Sequence, residues 1–434
     1  MEHTVYAAAH CWGAPIPDPR TPTMSVLAVS ADGSAIRLVQ QVDLPEGSLM
    51  PISQALDAAK TRLFTTAGTH GIVCFELDGE GKIVTTSAPV CSAITPEPLE
   101  TPYGVMPVDF CLDVSGKAGY TCNFLAGSVS ALAVDMEKGA LSEPQLCAPP
   151  HAGIPEKVLK IPPSAGAKAL GFPEGFPEDA SHPHGVACDP SGKWLVMGDL
   201  GTNNMSVYSL PVGESFTSGA ADFVLEAHKA ADANRHGGGG PRQIVFAADG
   251  KTLYCVSELD HTVCSYSFDA ATGKMTEVGT PQTTLGPDGQ AWLDSIPPLP
   301  HNYNAQPNYN SGIAISPDGK HVYTTQRGAD SVAGFVVAAD GSLSPTSQAT
   351  VPSGGRTSWS ASFASDTVLL VTNQYADDPE ARKGGGPDAD PDRLAPSGKE
   401  PGNVTVFRRD RATGALTPTG AVWEAPHVLS VTAR

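Results

Sequence analysis

Short apolar runs recur along the whole chain, separated by polar turns rather than by helical spacers. The runs are rich in Val, Tyr, Phe and Thr, which pack well on a pleated surface, so the pattern predicts strands. Most copies have a D-x-G-K-like turn between their first two runs, where glycine supplies the positive φ of a tight hairpin. The copies are ISQALDAAKTRLFTTAGTHGIVCFELDGEG, VDFCLDVSGKAGYTCNFLAGSVSALAVD, HGVACDPSGKWLVMGDLGTNNMSVYSL, RQIVFAADGKTLYCVSELDHTVCSYSFD, SGIAISPDGKHVYTTQRGADSVAGFVVAADG, and SWSASFASDTVLLVTNQYADD with NVTVFRRD. Their turn aspartates, Asp57, Asp113, Asp189, Asp249, Asp318 and Asp366, are spaced by 56, 76, 60, 69 and 48 residues. A variable period around a constant three-strand core describes one unit carrying loop insertions. A fourth run follows most copies, as in LVQQVD, KIVTTSA, LSEPQL, MTEVGT, LSPTSQ and LTPTGA. Four antiparallel strands per unit is the pattern of a propeller blade.

The two ends complete the count. HTVYAAAH, MSVLAVSA and IRLVQQVD are three strands of a blade that lacks its innermost strand, and APHVLSVTAR at the C-terminus is a strand without a blade. The expectation is an all-β, seven-bladed β-propeller closed by the C-terminal strand, forming a single domain over residues 1–434. Long insertions fall at about 149–177, 285–310 and 377–402. The last is polar and rich in Gly, Pro and charge, and reads as a mobile loop. The second carries Trp292, Tyr303 and Tyr309, which would be odd in pure solvent, and is expected to fold over the ring as a lid. The first is Pro- and Gly-rich and could do the same.

Composition narrows the partners. Lys+Arg is 27 against 46 Asp+Glu, a net charge of −19, which argues against nucleic acid and against docking on an anionic membrane. Hydrophobic content is 41% and charged content 17%, enough for a core. There is no apolar run long enough for a membrane-spanning helix. The N-terminal stretch has no basic region ahead of an apolar one, so no signal peptide is expected. The nine cysteines include no CxxC and several sit in apolar runs, which predicts buried free thiols and a cytoplasmic location.

Hairpin arithmetic places the candidate chemistry. Arg242 lies eight residues before Gly250 and Glu258 eight after, so they face each other at the open mouth of one hairpin. Arg327 lies eight after Gly319, opposite Ser311, and His184 eight before Gly192, beside Asp199. Asn123 and Asn373 fall at matching positions of other blades. His184, Arg242, Glu258 and Arg327 thus come from three consecutive blades and converge on one sector of the central funnel. Arginines suit carboxylate or phosphate, histidine can move a proton, and a glutamate between arginines stays ionised. At the mouths around a wet funnel, substitution is expected to change stability by only about 1 kcal/mol. The competing readings are a hairpin-pinning Arg242–Glu258 salt bridge, an Arg327 that caps an inner loop, and a His184 satisfied within its turn. His182 reads as structural, and His228, His236, His261 and His301 as solvated. Asn123, Asp199, Glu258 and Asn373 are hard oxygen ligands that would suit Ca²⁺, but Arg242 and Arg327 on the same rim would repel a cation, so no metal is expected. There is no GxSxG, P-loop or GxGxxG motif, and GGGGP before Arg242 reads as a flexible lead-in.

At HPHGVACDPSGKWLVMGDLGTNNMSVY, GPRQIVFAADGKTLYCVSELDHTVCSYSFD and SPDGKHVYTTQRGADSVAGFVV the chain resembles the lactonase-type seven-bladed propellers, which include 6-phosphogluconolactonase and 3-carboxy-cis,cis-muconate lactonising enzyme. The resemblance is strong over blades four to six and weaker elsewhere. In the muconate-lactonising branch the family's proposed active-site residues are a histidine, two arginines and a glutamate, which fall on His184, Arg242, Arg327 and Glu258. The resemblance also implies catalysis without metal or cofactor. The chain departs from the family pattern at TTAGTHG, where many relatives carry asparagine, and at GGRTSWSASF, where relatives usually show P-R. The expected function is hydrolysis of a small anionic sugar-acid lactone, with Arg242, Arg327, Asn123, Asp199, Ser311 and Asn373 contacting substrate. The alternatives are a lactonising cycloisomerase acting on a polycarboxylate, and a non-catalytic propeller that binds a protein on its rim.

Overall fold

Hairpin turns of the expected kind set the architecture. Gly250 turns with a φ of 67°, a conformation glycine adopts without strain, and Ala247 closes that turn by donating to Thr252 O at 2.8 Å. In the preceding unit Asp189 accepts the Lys193 and Trp194 N–H groups at 2.9 and 2.7 Å, so the aspartate of the repeat serves as the turn's own cap. In the unit after Gly250 the hydroxyl of Ser316 takes that role toward His321 N at 3.0 Å.

The computed structural model describes residues 2–10, 22–68, 71–84, 90–92, 106–124, 126–135, 137, 140–142, 145–147, 181–201, 203–210, 225–230, 239–295, 308–376 and 401–434. Seven antiparallel sheets form the blades. Blade one orders its strands Val428–Ala433, Glu2–Ala9, Thr23–Ser30 and Ile36–Asp43, from the axis outward. Blade two runs from Gln54–Leu56 to Val90–Ser92, and blade three from Pro107–Leu112 through Ser128–Asp135. Blade four begins at Pro183–Cys188, blade five at Pro241–Phe246, blade six at Asn310–Ile315 and blade seven at Gly355–Ser365. The innermost strands pack in sequence around the axis, and Gly355–Ser365 meets Val428–Ala433 to complete the ring.

Closure is as the orphan strands require. Val428–Ala433 pairs antiparallel with Glu2–Ala9, setting Tyr6 opposite Thr432 and Ala7 opposite Val431. Apolar side chains fill the seams between blades. Val196, Met205 and Val207 of blade four pack against Ile244, Leu253 and Tyr266 of blade five, and Val5 and Leu27 of blade one against Leu370 and Val404 of blade seven.

Two outer strands differ from expectation. In blade two the described part of KIVTTSA, residues 82–84, forms a bridge of Ile83 to Leu77, and the fourth strand is Val90–Ser92. In blade three the outer edge splits into Ala140–Leu141 and Gln145–Cys147. Of the insertions, 285–310 opens with a helix, Gly286–Ser295, while 149–177 and Tyr303 lie outside the described residues, as does 377–402 apart from its last two residues. Among the described residues no helix is long and apolar enough to cross a membrane.

Candidate active site

One irregularity repeats around the axis. At corresponding points of the innermost strands a β-bulge inserts an extra residue: Leu429 in blade one, Val108 in blade three, His184 in blade four, Arg242 in blade five and Trp359 in blade seven. Blade six has the same register shift between Asn310 and Ile313. A bulge re-aims the extra side chain relative to the ladder, so this ring of residues forms the floor of the funnel. The floor is apolar at Leu429 and Val108, aromatic at Trp359, and polar at His184 and Arg242. Close packing of neighbouring inner strands supports it: a Cβ on Gly185 would lie 2.2 Å from Arg242 O, so only glycine can follow His184 here.

Glu258 is the hub of the polar half. Its Oε2 accepts Arg242 Nε at 2.7 Å, and its Oε1 accepts Arg327 Nη2. Arg242 Nη1 also donates to Ser311 O at 2.9 Å, tying blade five to blade six. His184 Nε2 stands 4.0 Å from Glu258 Oε2. Aromatic faces brace the cations: Trp359 lies 5.4 Å from the Arg242 guanidinium and 5.0 Å from that of Arg327, and Tyr309 lies 4.9 Å from Arg327 on another side. Asn308 holds the turn after Arg327 by accepting Gly328 N and Ala329 N at 2.8 and 3.0 Å.

The four predicted residues therefore meet, but not in a wet funnel. Arg242 is 2% exposed and Glu258 1%, while the Arg327 side chain, at 16%, is the member nearest to solvent. The facing residues lie two positions from where hairpin arithmetic sets them on the bulged strands: Glu258 N donates to Gly240 O rather than facing Arg242, and Arg327 N to Tyr309 O rather than facing Ser311. Burial, reinforced by the Arg242 charge, pushes the His184 imidazole down to about 3, so it is neutral at physiological pH. Its ring sits edge-on to Phe124, with centroids 5.5 Å apart.

The other candidates have local partners. Asn123 donates to Ser128 and Ser130 Oγ at 3.1 and 2.8 Å within its own blade. Asn373 donates to Asn403 Oδ1 at 2.8 Å, and Asp199 accepts Ser181 Oγ and His182 N at 2.5 and 2.8 Å. Ser311 contributes its carbonyl to Arg242. Among the described residues no group of three or more His, Cys, Asp or Glu is arranged to hold a metal ion. His182 is structural, stacked on Phe124 and bonded to its carbonyl at 2.7 Å. His261, expected in solvent, is instead buried, with Thr284 Oγ1 bonded to its carbonyl at 3.0 Å. The side chains of His228, His236 and His301 lie outside the described residues. Sequence reasoning missed Trp359 and Phe124; the available signal was that the repeat aligns SWSASF with PRQIVF, setting Trp359 at the place of Arg242.

Comparison with known proteins agrees with the seven-bladed fold. The family model described as "Lactonase, 7-bladed beta-propeller" matches residues 165–380. A Lactococcus lactis protein, the uncharacterized protein YwcC, is 27% identical over 381 residues, covering 86% of this chain and 85% of its own. A 6-phosphogluconolactonase of Serratia proteamaculans is 22% identical over 407 residues, 93% of this chain and 94% of its own. The solved structure of the Pseudomonas aeruginosa periplasmic gluconolactonase PpgL shares the fold, with a TM-score of 0.66 at 17% identity over 100% of this chain and 99% of that one. The chain belongs to the lactonase-type seven-bladed β-propeller family.

Proposed function

We propose that this protein is a metal-independent lactonase that hydrolyses a small anionic sugar-acid lactone of the 6-phosphogluconolactone type. The observation that carries the reading is the buried Arg242–Glu258–Arg327 triad with neutral His184 beside it. Glu258 holds both guanidinium groups in place, so their positive field is preorganised before substrate arrives. Arg327, the most exposed member, receives the substrate's carboxylate or phosphate in a bidentate fork. Arg242 offsets the charge that develops on the carbonyl oxygen as water attacks, the kind of stabilisation worth about 10²–10³-fold in rate. His184 takes the proton from that water and returns it to the ring oxygen as the ester bond breaks. A base held near 3 is weak; an anion bound beside the arginines counters their field and raises its basicity when substrate is present.

A second reading, a lactonising cycloisomerase acting on a polycarboxylate, draws support from the aromatic part of the floor. Leu429 and Val108 are enclosed in the core, but Trp359, at 9% exposure beside both guanidinium groups, suits a hydrocarbon chain better than a polyhydroxylated sugar. One panel separates the two: 6-phosphogluconolactone, gluconolactone, and cis,cis-muconate with its 3-carboxy derivative. Proton release above the spontaneous rate on the phosphorylated lactone supports hydrolysis. Loss of diene absorbance on the muconates alone overturns it in favour of cyclisation.

A further inference from the structure

The innermost strands of blades three and four, Pro107–Leu112 and Pro183–Cys188, run side by side below the floor. Asp109 fixes their alignment, its Oδ2 accepting the Val186 N–H at 3.0 Å. Two residues further along each strand, the same offset sets Cys111 against Cys188, Sγ to Sγ 3.6 Å. Both thiols are half-buried and line the central channel, a cavity of 370 Å³ that also exposes Asp109, Gln243, Ser360 and Ser430. The other described thiols differ: Cys74, Cys122, Cys255 and Cys264 are buried, and none of them lines the channel. Cys255 and Cys264 even face each other in register, but inside the sheet of blade five.

We propose that Cys111 and Cys188 form a redox modification site, in which a small peroxide entering the channel converts the two thiols into a disulfide that ties blade three to blade four. The channel, at 370 Å³, is large enough for hydrogen peroxide. In the first step one thiolate attacks a peroxide oxygen; the O–O bond breaks, the sulfur becomes a sulfenic acid, and the departing hydroxide is protonated to water. In the second step the other thiol attacks that sulfur; the S–S bond forms, the S–O bond breaks, and a second water leaves. Two thiols and one hydrogen peroxide give one disulfide and two waters, with sulfur oxidised and peroxide oxygen reduced. The sulfurs must close from 3.6 Å to about 2.05 Å, while the Asp109–Val186 bond keeps the strands aligned. The contact with Cys111 and burial together hold the Cys188 thiol well above its usual range, so the reaction quickens as pH rises.

The consequence follows from chain connectivity. Blades three and four are joined in sequence through a long segment that includes 148–180, and the disulfide would close it into a covalent loop. Constraining the unfolded chain in this way raises resistance to unfolding.

The test uses the full-length protein, reduced, desalted and exposed to a few-fold excess of hydrogen peroxide at alkaline pH. The expected result is an intact-mass loss of about 2 Da, the change for one disulfide. A Cys111–Cys188 cross-linked peptide should be found without reduction, and two of the nine thiols should be lost. The thermal midpoint rises, and reductant reverses every change. Cys111→Ser and Cys188→Ser each abolish the mass loss and the midpoint rise. Sulfinic or sulfonic adducts without the cross-link, a cross-link elsewhere, or nine unreacted thiols would each overturn the proposal; the peptide map of the wild-type protein decides even if a variant folds poorly.

Discussion

Replacing Glu258 with glutamine removes the charge at the centre of the site while keeping its size. The carboxylate is 1% exposed and lies 2.7 Å from a guanidinium that is itself 2% exposed. Breaking a buried ion pair by neutralising one partner costs about 3–5 kcal/mol, because the other charge is left uncompensated. Only Arg242 is stranded. Arg327, at 16% exposure, can turn toward water. Arg242 also keeps Ser311 O and the Trp359 face, so the lower end, about 3 kcal/mol, is expected. The assay is urea unfolding at neutral pH followed by tryptophan fluorescence. Adding Arg242→Met to Glu258→Gln removes the stranded charge and should recover at least about 1 kcal/mol, a coupling seen only between contacting residues. A Glu258→Gln loss below about 1 kcal/mol, with no recovery in the double variant, would mean that the triad is solvated in solution and that the burial argument is wrong.

Three further outcomes follow from the same structure. His184 is depressed to about 3 when folded against about 6.5 unfolded. The unfolded state therefore binds more protons between those values, so stability falls as pH drops through that window. His184→Gln should flatten the slope, and an unchanged slope would place the protonation elsewhere. Asp109, pushed up by burial to about 6, has the opposite sign: its burial cost is fully present above pH 6 and is relieved as pH falls toward 4. Asp109→Asn should therefore steepen the net acid loss over that range, measured by the same unfolding curves. Deleting residues 427–434 removes the innermost strand of blade one and the burial of Val428, Leu429 and Val431. At about 1.5–3 kcal/mol per apolar side chain, plus two opened sheet edges, the truncated chain should lose its cooperative unfolding transition. Retention of the full transition would refute closure through that strand.

The blade count and the closure were legible because they rest on local pattern. A strand pair and its glycine turn lie within one stretch of chain, and an unmatched strand at each end leaves one way to complete the ring. The meeting of His184, Arg242, Glu258 and Arg327 was legible for a related reason, since identical hairpins bring equal offsets to the same level. The bulges were not legible. An extra residue in a strand leaves no mark in an apolar alternation, yet it decides that Arg242 and Trp359 point into the funnel floor. Burial of the site was missed because it depends on contacts between blades, such as Trp359 of blade seven lying over Arg242 of blade five and Arg327 of blade six. Asn123 and Asn373 sat at the right level, but each finds hydrogen-bond partners within its own blade, which residue type and spacing alone do not reveal.

The central claim is that an arginine-held anion and a neutral histidine perform lactone hydrolysis without metal. It is tested most directly by the turnover of 6-phosphogluconolactone after exhaustive chelation, with wild type, Arg327→Ala, Arg327→Lys and His184→Ala compared side by side. The account predicts that chelation leaves wild-type turnover intact. Arg327→Ala should raise KM, with Arg327→Lys restoring it only in part, because lysine lacks the planar fork. His184→Ala should lower kcat by about 10²–10⁴-fold. Activity that vanishes with the chelator and returns with a divalent cation, or full turnover in both alanine variants, would contradict it.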